Sequence, residues 1–107
     1  MRFEKKVVLV TGASRNTGVE IAAAFAKEGA TVLVNGTTAE GVHKAVKELE
    51  SRGLRGFIEA PADIGDPASV DALFTLIRQK AGRLDVLVNN AGLQGMGHSF
   101  EDTPMEL

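Results

Sequence analysis

Segments typical of buried strands alternate along the chain with segments typical of amphipathic helices. Because parallel neighbours need crossover connections, four strands with three intervening helices predict a parallel sheet. Right-handed crossovers favour a Rossmann-like doubly wound α/β sheet with strand order 3-2-1-4 and a switch point between the first and fourth strands. The strand patterns are apolar or β-branched runs at residues 6–11, 31–35, 56–60 and 85–89, and the helix patterns occupy residues 19–28, 38–52 and 67–81.

Capping residues mark the ends of the predicted helices. Thr37, followed by Glu40, has the capping-box pattern and predicts the start of the second helix. Asp66, with Pro67 at the first helical position, predicts the start of the third. The predicted C-terminal stops are Gly29, Gly53 and Gly82.

A further capping box lies near the end of the sequence. Thr103, Pro104 and Glu106 announce a helix, and the sequence ends one residue later, at Leu107. A helix of one turn is unstable alone. We therefore interpret residues 1–107 as an incomplete, truncated domain, with a frayed natural tail as the alternative.

The first strand pattern runs directly into the glycine-rich turn Gly12-Ala13-Ser14-Arg15-Asn16-Thr17-Gly18, and a helix pattern follows at once. This order places backbone N–H groups and the positive end of a helix where the chain leaves a strand. Such a site suits a phosphate or pyrophosphate, so the turn predicts a nucleotide binder. The alternative is a tight strand-to-helix turn with no ligand.

Composition narrows the classes of partner. The chain of 107 residues has net charge −2 and no Cys, which argues against a nucleic-acid partner, an anionic membrane surface and Cys-based chemistry. The apolar runs are too short to span a bilayer and the first residues lack a signal-peptide core, so we expect a cytoplasmic protein. His43 and His98 have no partner at ligand spacing, so we expect both to be solvated and predict no metal site.

Three motifs in order carry a family resemblance. The glycine turn is followed by Asp63-Ile64 after the third strand and by Asn89-Asn90-Ala91-Gly92 at the end of the fourth. Together they resemble the short-chain dehydrogenase/reductase family, and residues 6–15 are similar to bacterial 3-oxoacyl-acyl-carrier-protein reductases. The resemblance covers the whole chain and implies that residues 1–107 are an incomplete Rossmann dinucleotide-binding domain, cut before the catalytic half. It implies cofactor binding by Gly12, Ser14, Arg15, Asn16, Thr17, Gly18, Thr37, Asp63, Ile64, Asn90, Ala91 and Gly92.

Some of these positions depart from the family pattern or allow a second interpretation. Asn16 replaces the family's middle glycine and Thr17 the usual aliphatic residue; Asn tolerates left-handed backbone angles better than most residues. Asp63 is expected near the adenine by resemblance, although Asp63 and Asp66 could instead cap the third helix. Asn90 and Gly92 line the crevice in the family, and ordinary turn chemistry is their alternative.

The end of the second strand bears on the choice of cofactor. NAD binders usually place an acid there to hydrogen-bond the ribose 2′-OH, and the segment at residues 34–38 has none. We therefore expect NADP(H) to be preferred over NAD(H). Arg15 is the expected cation for the 2′-phosphate, with Ser14 and Thr37 beside it. A solvated loop charge is the alternative for Arg15.

The chain contains no tyrosine. By resemblance, hydride transfer in the family uses a Tyr acid/base, a Lys four residues on, and a Ser, all later in the sequence. We therefore assign no catalytic residue, expect the chain alone to be inactive, and expect it to self-associate through the open edge of its fourth strand. The alternative is a naturally short, non-catalytic nucleotide-binding or interaction module. A reading frame that continues into a Tyr-xxx-Lys segment would favour the oxidoreductase.

Overall fold

The computed structural model describes residues 3–14 and 16–90, and there the predicted alternation is confirmed. All strand pairs are parallel, in the order β3-β2-β1-β4 that the sequence predicts. The elements are β1 (Val7–Val10), α1 (Asn16–Lys27), β2 (Thr31–Gly36), α2 (Ala39–Ser51), β3 (Phe57–Pro61), α3 (Pro67–Lys80) and β4 (Val86–Val88).

Helices cover both faces of the sheet, which confirms the doubly wound architecture. On one face Val8 and Val10 of β1 and Val32 and Val34 of β2 pack with buried residues of α1 and α2, among them Ala22 and Leu49. On the other face Leu9 and Leu33 pack with Leu73 and Ile77 of α3. Because side chains alternate along a strand, each of the two central strands contributes to both cores.

A Val-Leu-Val tripeptide occurs in three of the four strands, and the three copies are aligned. They occupy residues 8–10 in β1, 32–34 in β2 and 86–88 in β4. Leu9 pairs with Leu33 on one side and with Leu87 on the other. The copies in β1 and β2 are buried, whereas the copy in β4 is only half-buried.

Two of the three helix starts differ from prediction, and each helix ends one residue before its predicted end. α1 begins at Asn16 rather than at residue 19, and Asn16 adopts a left-handed φ of +49°. The prediction that Thr37 caps α2 was wrong. Thr38 has the extended backbone of an N-cap, and its hydroxyl accepts a hydrogen bond from the backbone N–H of Gly41 at 3.1 Å. A cap is set by the residue whose backbone turns into the helix, and here that residue is one position later.

The glycine stops are confirmed. Gly29, Gly53 and Gly82 have φ values of +90°, +87° and +79°, the left-handed region that glycine enters without a steric penalty. The helix predicted to start at Thr103 lies outside the described residues.

Polar contacts outside the core join neighbouring elements. His43 was predicted to be solvated, and its side chain is 58% exposed; its Nδ1 also lies 2.7 Å from Oε2 of Glu59, a contact that joins α2 to β3. His98 lies outside the described residues. Asp85, just before β4, accepts a hydrogen bond from the backbone N–H of Val7 at 2.8 Å and another from Arg83 at 2.7 Å. The Arg83 and Val7 hydrogen bonds lower the pKa of the Asp85 carboxyl.

Candidate functional site

The glycine turn lies at the carboxyl end of β1, beside the switch point between β1 and β4. Gly12 turns the chain with φ +61°. The backbone N–H of Ala13 donates to the carbonyl of Asn35 at 2.6 Å, and that of Gly12 to Asn35 Oδ1 at 3.4 Å. The turn is therefore held against the end of β2 by both backbone and side chain of one residue.

Asn35 is a site residue that our sequence analysis did not identify. It is 2% exposed, and its Nδ2 donates to the carbonyls of Ala60 and Ala62 at 2.9 and 3.3 Å. Its side chain thus bridges the glycine turn and the end of β3. The available signal was an amide within an otherwise apolar buried strand, because a buried polar side chain requires hydrogen-bond partners.

Gly18 allows the first turn of α1 to pack directly on the glycine turn. A Cβ at this position would lie 2.3 Å from the carbonyl oxygen of Gly12 and 2.6 Å from the Cα of Ala13. The same Gly12 carbonyl accepts a hydrogen bond from Nδ2 of Asn90 at 3.1 Å. Asn90 is 2% exposed, so the structure places it as a buried link between the end of β4 and the glycine turn.

The start of α1 is open to a ligand. Asn16 and Thr17 are both exposed, and the first N–H groups of a helix have no partner within the helix. Asn16 supplies the left-handed backbone that its position in the turn requires, which asparagine tolerates better than most residues. The backbone N–H groups at the turn and at the start of the helix are therefore chemically suited to binding the pyrophosphate of a dinucleotide.

A cavity of about 420 Å³ opens between the glycine turn and α2. Gly36 and Ser14 are in close contact beside it, since a Cβ on Gly36 would lie 2.9 Å from both Cβ and Oγ of Ser14. Ser14 and Thr37, predicted to act together, both line this cavity. The lining residues are Ser14, Thr37, Thr38, Gly41, Lys44, Ala45 and Glu48.

Asp63 and Ile64 lie beyond the end of β3. Asp63 Oδ1 accepts from the backbone N–H of Gly65 at 2.9 Å, so its carboxylate stabilises the local turn. Asp66 is the N-cap residue of α3, as predicted. Its carboxylate, however, makes no capping hydrogen bond. Ile64 is 38% exposed and lines a second, mainly apolar cavity of about 390 Å³ together with Thr11 and Asn89.

The structure brings two groups of the predicted residues together: Gly12, Gly18 and Asn90 in one contact, and Ser14 with Thr37 around one cavity. Asp63 and Ile64 do not line that cavity. Arg15, Ala91 and Gly92 lie outside the described residues.

Across residues 3–14 and 16–90 we find no cluster of side chains suited to a metal ion. In the same part of the chain, no helix has the length and apolar character needed to cross a membrane.

Comparison with known proteins agrees with this geometry. The short chain dehydrogenase family model matches residues 6–106. The chain is 40% identical over 93 residues to the 3-oxoacyl-(acyl-carrier-protein) reductase of Escherichia coli, covering 87% of this chain and 36% of that protein. It spans 35–40% of the length of the curated relatives it matches.

Solved structures show the same fold. Glucose dehydrogenase of Caenorhabditis elegans superposes with a TM-score of 0.77 at 34% identity, covering 84% of this chain and 39% of the other. A variant actinorhodin polyketide ketoreductase with NADPH superposes with a TM-score of 0.74 at 36% identity, covering 79% and 32%. The family is one of NAD(P)(H)-binding oxidoreductases with a Rossmann-like fold. This chain therefore belongs to the short-chain dehydrogenase/reductase family.

Proposed function

We propose that this chain is the NADP(H)-binding half of an oxidoreductase that, in the complete protein, transfers hydride between the cofactor and a carbonyl or alcohol. The observation that carries the cofactor preference is the environment of Gly36 at the end of β2. NAD-binding members of this fold place an acid in this region for the ribose 2′-OH. Here residue 36 is a glycine, and a Cβ on it would lie 2.9 Å from Cβ and Oγ of Ser14. Ser14 therefore occupies the space that an acidic side chain at residue 36 would need.

The neighbouring residues support a 2′-phosphate over a 2′-OH. Thr37 and Thr38 are exposed at the mouth of the cavity and carry hydroxyl groups rather than carboxylates. Arg15 follows Ser14 in the chain and offers a guanidinium whose planar fork suits a phosphate. An acid at the end of β2 would repel the phosphate, and residues 34–38 contain none, which favours NADP(H).

Titration calorimetry with NADP⁺ and NAD⁺ tests the preference. We expect NADP⁺ to bind about tenfold more tightly or better, since a hydrogen bond to a charged group contributes roughly 1.5–3 kcal/mol. Arg15→Ala should weaken NADP⁺ binding far more than NAD⁺ binding. Asn16→Gly, which removes a side chain beside the pyrophosphate, should strengthen both equally. Equal affinity for the two cofactors, or tighter NAD⁺ binding, would contradict the proposal.

We also propose that the chain alone does not turn over a carbonyl substrate. It has no tyrosine to serve as the acid that the family resemblance assigns, and a positioned acid typically contributes about 10²–10⁴-fold to the rate. The assay is NADPH oxidation, followed by absorbance, with ketones and 3-oxoacyl thioesters. Turnover above background by the purified chain would refute this.

Self-association is the remaining part of the proposal. Within the described residues β4 pairs with β1 alone and is only half-buried. An open strand edge readily pairs with a second copy. We expect light scattering over a concentration series to show a dimer or larger species. A stable monomer at high concentration would contradict the pairing.

A further inference from the structure

The wall of the cavity between the glycine turn and α2 includes a positively charged side chain that the proposed function does not use. Lys44 lies in the second turn of α2 and lines the cavity with Ser14 and Thr37. Among the described lining residues it is the one positively charged side chain. A lysine ammonium is a compact charge on a flexible stem, well suited to meeting a phosphate at a cavity wall.

Lys44 forms no ion pair with an acid among the described residues. Within residues 3–14 and 16–90 the ion pairs join Arg52 to two glutamates and Arg83 to Asp85, and His43 contacts Glu59; none of these contacts includes Lys44. Its charge is therefore available to a ligand in the cavity.

The cavity is also lined by an acid, Glu48, whose charge is partly offset by Arg52. Arg52 binds the Glu48 carboxylate and makes two further hydrogen bonds to Glu20 of α1, at 3.1 and 3.0 Å. These hydrogen bonds, those to Glu20 first, raise the pKa of the Arg52 guanidinium. Arg52 remains charged and partly neutralises the acid that would otherwise oppose an anion.

Gly41 leaves the cavity wall free of a side chain between Lys44 and the glycine turn. A Cβ there would lie 3.0 Å from Oγ1 of Thr38, and 3.9 Å from Cβ of Ser14. The hydroxyl of Thr38 is occupied by capping α2. Serine, threonine and lysine groups of the cavity thus face a space whose one lining carboxylate among the described residues, Glu48, is paired with Arg52.

We propose that Lys44 is a specificity-determining residue that binds the 2′-phosphate of NADP(H), with Arg52 a positioning residue that partly neutralises Glu48. This inference rests on the proposed function. It adds a second cation, from α2, to the one expected from the glycine turn.

Lys44→Ala is the direct test, with Lys47→Ala as the matched control, since Lys47 is an exposed lysine of the same helix that does not line the cavity. Titration of the full chain should show NADP⁺ affinity lowered about tenfold by Lys44→Ala, as expected for one charged hydrogen bond. Affinity for NAD⁺ should not change, nor should either affinity in Lys47→Ala. Circular dichroism confirms folding, and Lys44→Gln serves if the alanine variant unfolds.

A smaller probe locates the effect. Adenosine 2′,5′-bisphosphate should lose affinity in Lys44→Ala, whereas adenosine 5′-monophosphate should not. Arg52→Met should also weaken NADP⁺ binding selectively, and adding Glu48→Gln should restore it, which a merely structural role of Arg52 would not produce.

The outcomes separate the two proposals. If the unaltered chain prefers NADP⁺ and Lys44→Ala keeps that preference, the inference is overturned and the proposed function stands. If the unaltered chain binds neither dinucleotide or prefers NAD⁺, the proposed function fails and the inference fails with it.

Discussion

The two central strands and the outer strand β4 carry the same tripeptide in different surroundings. Val32, Leu33 and Val34 of β2 are each 0% exposed, whereas all three residues of β4 are half-buried. In β1 and β2, side chains on both faces meet helices. β4 has a strand on one side and lies at the edge of the described sheet. Identical side chains therefore contribute differently to stability because their neighbours differ, not because their propensities do.

Polar contacts join both ends of β4 to residues in and beside β1. Before the strand, Asp85 accepts from the backbone of Val7. After the strand, the Thr11 hydroxyl donates to Oδ1 of Asn89 at 3.3 Å, and Nδ2 of Asn90 donates to the carbonyl of Gly12. The polar contacts at the carboxyl end also position the glycine turn, so the outer strand links sheet order to the candidate site.

The largest effect is expected from truncating the central leucine. Leu33→Ala leaves a cavity in a fully buried place and should cost about 2–5 kcal/mol of unfolding free energy. Leu87→Ala removes the same atoms from a half-buried place and should cost about 1 kcal/mol. Urea unfolding measures both. Equal losses would show that β4 is as well buried as β2, and would break the comparison.

The next largest effect is expected where α1 meets the glycine turn. Gly18→Ala places a methyl group against the Gly12 carbonyl, and overpacking against backbone costs about 1–3 kcal/mol. Thermal unfolding and dinucleotide titration should both show the loss. Gly65→Ala is the control, because its Cβ would have only the Asp63 Oδ1 at 3.3 Å nearby. A neutral Gly18→Ala would mean that α1 is free to move outward.

Asn90→Ala tests the link from β4 to the turn. It removes the hydrogen bond to Gly12 and should cost about 1 kcal/mol, together with weaker dinucleotide binding. Gln79→Ala, which removes an exposed amide on α3, is the control and should have neither effect. Unchanged binding in Asn90→Ala would assign Asn90 to sheet stability alone.

The smallest effect concerns acid pH. The pKa of Asp85 is lower in the folded chain than its ordinary value of 3.8, so its stabilising contribution is present above that value. It is lost as the pH falls through the lowered folded value. Asp85→Asn, which still accepts from Val7, should reduce the acid loss of the melting temperature. Glu20, whose pKa Arg52 lowers, contributes with the same sign, and Glu20→Gln gives the comparison within α1. An unchanged acid slope in Asp85→Asn would contradict this.

Much of the fold was predictable because its signals are local. Apolar runs, helical spacing and the stops at Gly29, Gly53 and Gly82 specify elements through interactions within a few residues. The cap of α2 was placed one residue early, since Thr37 and Thr38 are chemically equivalent and only the backbone path distinguishes them. The sequence also predicted Gly12 and Gly18 as residues of the turn, because close approaches between backbone segments require glycine.

The remaining features depend on residues far apart in the chain. The role of Asn35 requires β1, β2 and β3 to be in register, and the pairing of Arg52 with Glu20 requires α1 and α2 to lie side by side. The sequence by itself determined the type and order of the elements, the parallel sheet and the glycine turn, through steric rules that act locally. Only the tertiary structure decided which Val-Leu-Val is buried and which cation borders the cavity, because burial and electrostatics depend on every neighbour a side chain acquires on folding.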